Sequence, residues 1–300
     1  MLGPHVVGHR VVVRRLVPGE IGPSGGPALT DVLGTCTSWG GGVCVVRPDG
    51  DGPHDPVTIP WGDIVSGKPV PPRASTRHRV SPQEAQRRAL ALWTALDTEP
   101  LGDWLLRRSA TATARRANSV LAMGPSGVAD DYDRVVAFYE QLGQRPIAAV
   151  LPGSAEDELF RSHGWVLESH DHDTVFELAG VAAARRSLHG VELPALEVSI
   201  AGDDRLVTAS VTSEDARVVA SGVAAYADDW VGFRTIEVDP AVRGRRLGLV
   251  VMAELLTWGA ERGATTAYLQ VLGDNTRAFA LYDGLGFTEH HRYRYLAAPR

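Results

Sequence analysis

Cysteine is scarce: the 300 residues contain two, Cys36 and Cys44. Two thiols cannot build a disulfide framework in a chain of this length, and a metal site would need further ligands. The expectation is a cytoplasmic protein with two reduced, partly buried thiols and no metal. No apolar run reaches the ~18 residues of a membrane span. The N-terminal stretch MLGPHVVGHRVVVRRL breaks its apolar residues with charges and lacks the apolar core of a signal peptide. Basic charge is not in excess either. With 30 Lys and Arg against 36 Asp and Glu, the net charge is -6. A general nucleic-acid-binding face is therefore not expected. What remains is ordinary for globular proteins, 44% apolar and 22% charged. The length allows two or three domains.

The pattern changes twice along the chain. Residues 1–72 read as all-β, with strands from Val11-Val12-Val13, over 31–37, and over 42–46. Turn clusters at 22–26, 39–42 and 48–53 separate them. Short strands with Gly and Pro punctuation predict a small β-barrel, which resembles a five-stranded Src-homology-like barrel. The run Lys68-Pro69-Val70-Pro71-Pro72-Arg73 reads as an extended linker. Ser81-Pro82-Gln83-Glu84 then opens a helix, with serine as cap and proline at the first position, predicted to run to Leu96. Further on, 104–107, 118–123 and 146–151 read as strands, and 130–142 and 155–163 as helices. From 174 the order is strand (174–178), strand (197–200), two longer strands (217–225, 232–238), helix (247–262), strand (266–271), helix (275–285) and strand (292–296). Mixed strands and helices in this order imply an α+β fold around one sheet.

Two stretches repeat. Leu159-Phe160 followed by His163-Gly164-Trp165 aligns without gaps on Leu281-Tyr282 followed by Leu285-Gly286-Phe287. At the same offset Ala148-Ala149-Val150 falls on Gln270-Val271-Leu272. A duplicated domain is the reading, with 81–173 as the first copy and 174–300 as the second.

The second copy carries the chemistry. Ile236-Glu237-Val238-Asp239-Pro240 reads as a strand end and is followed by Arg243-Gly244-Arg245-Arg246-Leu247-Gly248 at a helix start. A glycine-containing turn lets backbone approach an anion, and amides at a helix N-terminus point at it with the positive end of the dipole behind them. Asn275-Thr276-Arg277-Ala278-Phe279-Ala280-Leu281-Tyr282-Asp283-Gly284-Leu285-Gly286-Phe287 follows after one intervening strand. Together the two segments resemble the GNAT N-acetyltransferase signatures, R/Q-x-x-G-x-G/A and N-x-x-A-x-x-x-Y-x-x-x-G-F. The resemblance covers about 174–297 and departs at Arg246, which stands in the place of the signature's first glycine.

The resemblance implies a GNAT fold in tandem, with 81–173 a degenerate lobe and 174–300 the catalytic domain. It implies acetyl-CoA as co-substrate and an amine as acceptor. Arg243, Gly244, Arg245, Arg246, Leu247 and Gly248 would hold the pyrophosphate or the ribose phosphate. Ile236 and Val238, on a strand that splays from its neighbour, would bond the pantetheine arm, and Asn275 would contact that arm or nearby backbone. Tyr282 would protonate the leaving thiolate. The base is less defined. Gln270 cannot accept a proton, so Glu237, alternating opposite to Ile236 and Val238, is the candidate, acting through water. The first copy has Gly153 and Phe160 where the second has Asn275 and Tyr282. A non-catalytic acyl-CoA-binding regulatory module, with the barrel recruiting protein or nucleic acid, is the alternative.

Overall fold

The structure, a computed structural model, describes residues 2–22, 25–49, 55–70, 76–168, 172–189 and 197–299. The chain divides into two compact units, Met1–Ser75 and Thr76–Arg300.

The first unit holds β1 (Arg10–Ile21), β2 (Pro27–Gly40), β3 (Val43–Pro48), β4 (Val57–Pro60) and β5 (Ile64–Pro69), in the sheet order β4-β3-β2-β1-β5. All pairings are antiparallel. Alternation turns Val11, Val13, Cys36, Cys44 and Val46 into one small core with Val6 and Ile59. The two thiols lie 3.9 Å apart in that core and are unbridged, and burial pushes Cys44 up to about 12. Two arginines of β1 meet carboxylates: Arg10 reaches Asp49 at 2.7 Å and Arg14 reaches Asp31 at 2.8 Å. Lys68 and Pro69, expected in the linker, instead complete β5 opposite Val12 and Val11. The remaining linker positions 71–73, and parts of the turns at 22–26 and 48–53, lie outside the described residues. Among the described residues β4 and β5 do not pair, so closure of this sheet into a barrel is our proposal.

The second unit starts at α1 (Pro82–Arg88), where the Ser81 hydroxyl accepts from the Glu84 amide at 3.2 Å. The helix is shorter than its apolar spacing predicts. A 3-10 turn covers Ala89–Leu92, Ala95 has φ 53°, and Leu96 already opens β6 (Leu96–Leu101). Tertiary packing explains the difference, because Ala85, Ala89 and Leu92 are buried against Phe176, Trp230 and Tyr268 without a longer helix. Then come β7 (Trp104–Ser109), β8 (Val120–Ala122), α2 (Asp131–Gln141), β9 (Ile147–Val150), α3 (Ala155–Ser162), β10 (Val166–Leu167) and β11 (Thr174–Gly180). The chain continues through α4 (Val181–Leu188), β12 (Val198–Gly202), β13 (Leu206–Thr212), β14 (Val218–Ala227), β15 (Trp230–Val238), α5 (Leu247–Glu261), β16 (Thr266–Leu272), α6 (Thr276–Gly284) and β17 (Thr288–Ala297). The sequence reading of this unit lacks β6, β10, α4 and β13. None of the described helices is long and apolar enough to cross a membrane.

The repeat is structural. Each half runs strand, helix, parallel strand, helix: β8 pairs β9 in parallel, as β15 pairs β16. Gly164 and Gly286 both have φ of 80° just past their helices, where the left-handed conformation ends a helix at least cost. The tandem lobes share one 12-stranded sheet, ordered β12-β13-β14-β15-β16-β11-β17-β9-β8-β7-β6, with β10 on β17. Strand β17 joins the halves. Its first half pairs β11, and its last four residues pair β9, with β10 alongside. Leu296, near the chain end, is thus buried in the core of the first lobe with Trp104, Tyr139 and Phe160. A division at 173/174 separates chain segments but not the sheet.

Truncating Leu296 to Ala should therefore unfold far more than a chain end. The expected loss is about 2–5 kcal/mol, that of a fully buried leucine, read from denaturant midpoints. A loss near zero would mean that β17 does not hold the first lobe.

Candidate active site

The site starts where two parallel strands part. Pairing between β15 and β16 runs from Trp230↔Thr266 to Phe233↔Leu269 and stops, although the strands continue to Val238 and Leu272. The cause is local. Between Val223↔Arg234 and Ser221↔Glu237, β15 carries one residue more than β14, and Thr235 sits at φ 54°. This is a β-bulge, which bends its strand and re-aims the edge beyond it. The backbone of Ile236 and Val238 lies past the bulge, on the edge that β16 no longer covers. Ile236 and Val238 are half-buried and Glu237, between them, is exposed.

All three residues line a cleft of about 1240 Å³ with Arg243, Gly244, Arg246, Leu247, Gly248, Asn275 and Tyr282. Arg245 is exposed and is not part of that lining. The floor is the start of α5. This helix buries nine of its residues, Leu247 and Gly248 among them, as an almost wholly apolar helix must. The Leu249 and Val250 amides bond back to the Arg246 carbonyl at 3.0 and 3.1 Å. The amides of Leu247 and Gly248 belong to the first turn, which a helix leaves without intrahelical partners. Glycine at 248 permits a close approach, since a Cβ there would lie 3.2 Å from Leu281. At the position of greatest departure from the signature, Arg246 adopts φ 60° and ψ 17°, the left-handed conformation that favours glycine. Gly244 also has positive φ, 83°. The turn keeps its left-handed shape with arginine in place of glycine.

Helix α6 closes the other wall. The Asn275 side chain accepts from the Ala278 amide at 3.1 Å and so caps the helix. In the first lobe Ser154, one residue after Gly153, caps α3 in the same way. Tyr282 is 8% exposed, and burial together with nearby Glu177 pushes its phenol up to about 12. Phe160, its counterpart, is wholly buried beside Trp104 and Trp165.

Sequence reasoning missed Glu177. It lies on β11, and only pairing places β11 between β16 and β17, opposite Leu269 and Glu289. It is 3% exposed, and its Oε2 has no hydrogen-bond partner. Burial first, then Asp283 and Glu289, push it up to about 7, against the pull of Arg292. A glutamate in an otherwise apolar strand is the one signal that was available. Gln270, the first β16 residue beyond the last pair, accepts from Arg116 Nε at 2.9 Å and from the Tyr293 hydroxyl. The Asp229 side chain accepts from the Thr265 hydroxyl at 2.7 Å. Among the described residues, no group of three or more His, Cys, Asp or Glu is placed to hold a metal ion.

Two outcomes are expected. Arg246→Gly and Arg246→Ala remove the same side chain, but alanine keeps the left-handed strain. The glycine variant should be more stable by about 1 kcal/mol in denaturant titration; equal midpoints would contradict the strain. For Glu177, a folded-state value near 7 against an ordinary 4.5 means that the folded state binds the proton more tightly. Its contribution is full below pH 4.5 and is lost as pH rises through 7. The Tm of Glu177→Gln should match wild type near pH 4.5, exceed it increasingly up to pH 7, and keep a constant lead above. A lead independent of pH would show that Glu177 is not held protonated.

The chain is similar to known proteins. The profile of the family described as "Probable histone acetyltransferase Rv0428c C-terminal" matches residues 84–296, more than two thirds of the chain. The chain is 26% identical over 316 residues to the probable histone acetyltransferase Rv0428c of Mycobacterium tuberculosis, covering 97% of this chain and 95% of that protein. It is 25% identical over 249 residues to the uncharacterized N-acetyltransferase YobR of Bacillus subtilis, covering 70% of this chain and 96% of that one. A GCN5-related N-acetyltransferase from Kribbella flavida has a similar fold, with a TM-score of 0.57 at 16% identity over 73% of this chain and 95% of its own. A tandem GNAT protein of the clavulanic acid pathway has a TM-score of 0.50 at 10% identity, over 72% of this chain and 88% of its own. The chain belongs to the GNAT N-acetyltransferase family and is an acyltransferase.

Proposed function

We propose that the enzyme binds acetyl-CoA in the cleft between β15 and β16 and moves the acetyl group directly to a primary amine. The observation that carries this reading is the parting of the two strands beyond Phe233↔Leu269, directly above a helix start with uncommitted amides. A long, polar, anionic co-substrate with an amide-bearing arm needs both features. The open β15 edge at Ile236 and Val238 offers strand-like bonds to the arm. The Leu247 and Gly248 amides, with the Gly244 turn and the Arg243 and Arg246 charges, suit a pyrophosphate. Arg245, at the exposed rim, suits the ribose phosphate. Asn275 acts on backbone, capping the helix that carries Tyr282.

The co-substrate supplies an activated acyl group as a thioester. The acceptor nitrogen forms the new C–N bond while the C–S bond breaks. Tyr282 gives its proton to the departing sulfur, and solvent restores it. Burial keeps this phenol protonated at any working pH, so it is always loaded. The nitrogen's surplus proton leaves through water to Glu237, which is exposed on the cleft wall. The first lobe, without an arginine-glycine turn and with Phe160 in place of a phenol, is read as a degenerate copy that shapes the acceptor side. The N-terminal sheet is read as a contact for a protein partner.

Tyr282→Phe tests the chemistry. Thiol release from acetyl-CoA with an amine panel should fall by about 10²–10⁴-fold, while calorimetric affinity for CoA changes by less than about twofold. Unchanged turnover would remove Tyr282 from the reaction. Binding of CoA without turnover of any amine by the wild type would favour the non-catalytic reading.

A further inference from the structure

On the face of the sheet opposite α6, two arginines lie without a counter-charge. Leu269 and Val271 point into the core that contains Tyr282. Gln270, alternating between them, points to the other face. There it meets Arg116, from a 3-10 turn before β8, and Arg107, from β7, is on the same side. Arg107 is 2% exposed. Its Nε donates to the Ser119 carbonyl at 3.0 Å and its Nη2 to the Ser119 hydroxyl at 2.7 Å. The Tyr139 hydroxyl accepts from the Arg107 amide at 3.2 Å and donates to its carbonyl at 3.0 Å, which fixes the backbone. Arg116 uses only Nε, donating to Gln270 Oε1 at 2.9 Å and to the Tyr293 hydroxyl at 3.2 Å. Tyr295 donates to Tyr293, and Tyr293 to the same Gln270 oxygen.

Gln270 Oε1 and the Tyr293 hydroxyl both already accept, and the Tyr295 hydroxyl accepts from no described donor. Among the described residues, the donors left over are Arg107 Nη1, both terminal nitrogens of Arg116, and Gln270 Nε2. Guanidinium and amide nitrogens can only donate. No carboxylate among the described residues lies within 4.0 Å of either arginine; the neighbouring Arg115 takes Glu168. Burial lowers Arg107 below its ordinary value against the pull of Tyr295, Tyr139 and Tyr293, and the charge of Arg116 adds to the lowering, whereas Arg116 itself is raised, against burial, by Tyr293 and Tyr295. Arg107, buried, and Arg116, half-buried, repel each other and lack a counter-ion, and holding Arg107 charged there costs stability. Such a cost is typical of a binding site awaiting its ligand.

We propose that the acceptor is a small amine that also carries an anionic group, a carboxylate or a phosphate, received by Arg107, Arg116 and Gln270 Nε2. This rests on reading the β15–β16 gap as the thioester site, because Gln270 is the first residue past the last pair. An anion held there leaves its own amino group at the gap, facing the thioester from the side opposite α6. A carboxylate or phosphate also fits the planar fork of arginine in two-point contact.

The test uses the full chain with CoA bound. Acetate and inorganic phosphate, each against chloride at equal ionic strength, should raise the wild-type Tm by a few degrees. Arg116→Gln and Arg107→Gln should lose most of that shift, while their Tm in chloride stays at or above wild type. Should a glutamine variant fail to fold, Arg116→Lys serves, keeping the charge but losing the fork and part of the shift. Turnover then compares matched pairs: amino acids with their amides, and phosphoethanolamine with ethanolamine. The anionic member of one series should have a KM lower by about tenfold or more, and Arg116→Gln should erase that preference without changing the KM for acetyl-CoA. The series that responds identifies the anion. Equal Tm shifts in wild type and variants, or a Tm loss in chloride in both glutamine variants, would overturn the proposal and leave the transferase reading intact. Anion stabilisation that needs both arginines, without thiol release from any amine, would support the anion site and sink the transferase reading instead.

Discussion

One extra residue in β15 organises the active half of the molecule. The bulge at Thr235 turns the strand away from β16 just after Phe233 pairs Leu269. A parallel pair deep in a 12-stranded sheet would normally have its backbone groups satisfied by neighbours. Here the strands part in the middle of the sheet, so unpaired backbone is placed next to a buried apolar core. The start of α5 lies beyond one strand end and α6 lines the opening. Everything assigned to the co-substrate follows from that parting: an open strand edge, a helix start below it, and a phenol beside it.

The shared sheet constrains the site from behind. Because β11 sits between β16 and β17, a carboxylate on β11 is buried near Tyr282 and raises the phenol further. Because the last residues of β17 pair β9, the first lobe is fixed against the second by backbone hydrogen bonds, not only by side-chain packing. Arg107 and Arg116, which belong to the first lobe, are thereby held on the face of the sheet that carries Gln270. The first lobe, with Phe160 in the place of Tyr282, contributes two cations and the turn that carries one of them.

The departure at Arg246 shows how a motif and a conformation differ. The turn needs a left-handed residue, and arginine supplies it at φ 60°. What the fold requires is backbone shape, and glycine is the least strained way to obtain it. The strain is modest, and the arginine brings a positive charge to the cleft lining in return.

Much of this was legible from residues alone. The capping serine at 81, the helices over 131–141 and 247–261, and the repeat of strand, helix, glycine and aromatic are encoded locally, in periods of two and 3.6 and in glycines that only a helix end requires. The two signature segments carry Arg243, Gly248, Asn275 and Tyr282, which line one cleft. Local spacing failed where distant partners decide. The helix expected to reach Leu96 ends early because Ala89 and Leu92 meet Phe176, Trp230 and Tyr268. Lys68 and Pro69 join a strand because Val11 and Val12 lie opposite. Glu177, Arg107 and Arg116 carry no motif at all. Their placement comes from strand order, which sets β11 between β16 and β17 and pairs the end of β17 with β9 of the first lobe. The sequence by itself determined most of the helices and strands and the glycine-containing turn ahead of α5, since those depend on neighbours within a few residues. Only the tertiary structure decided which charges are stranded without partners, since burial and pairing are properties of the whole sheet.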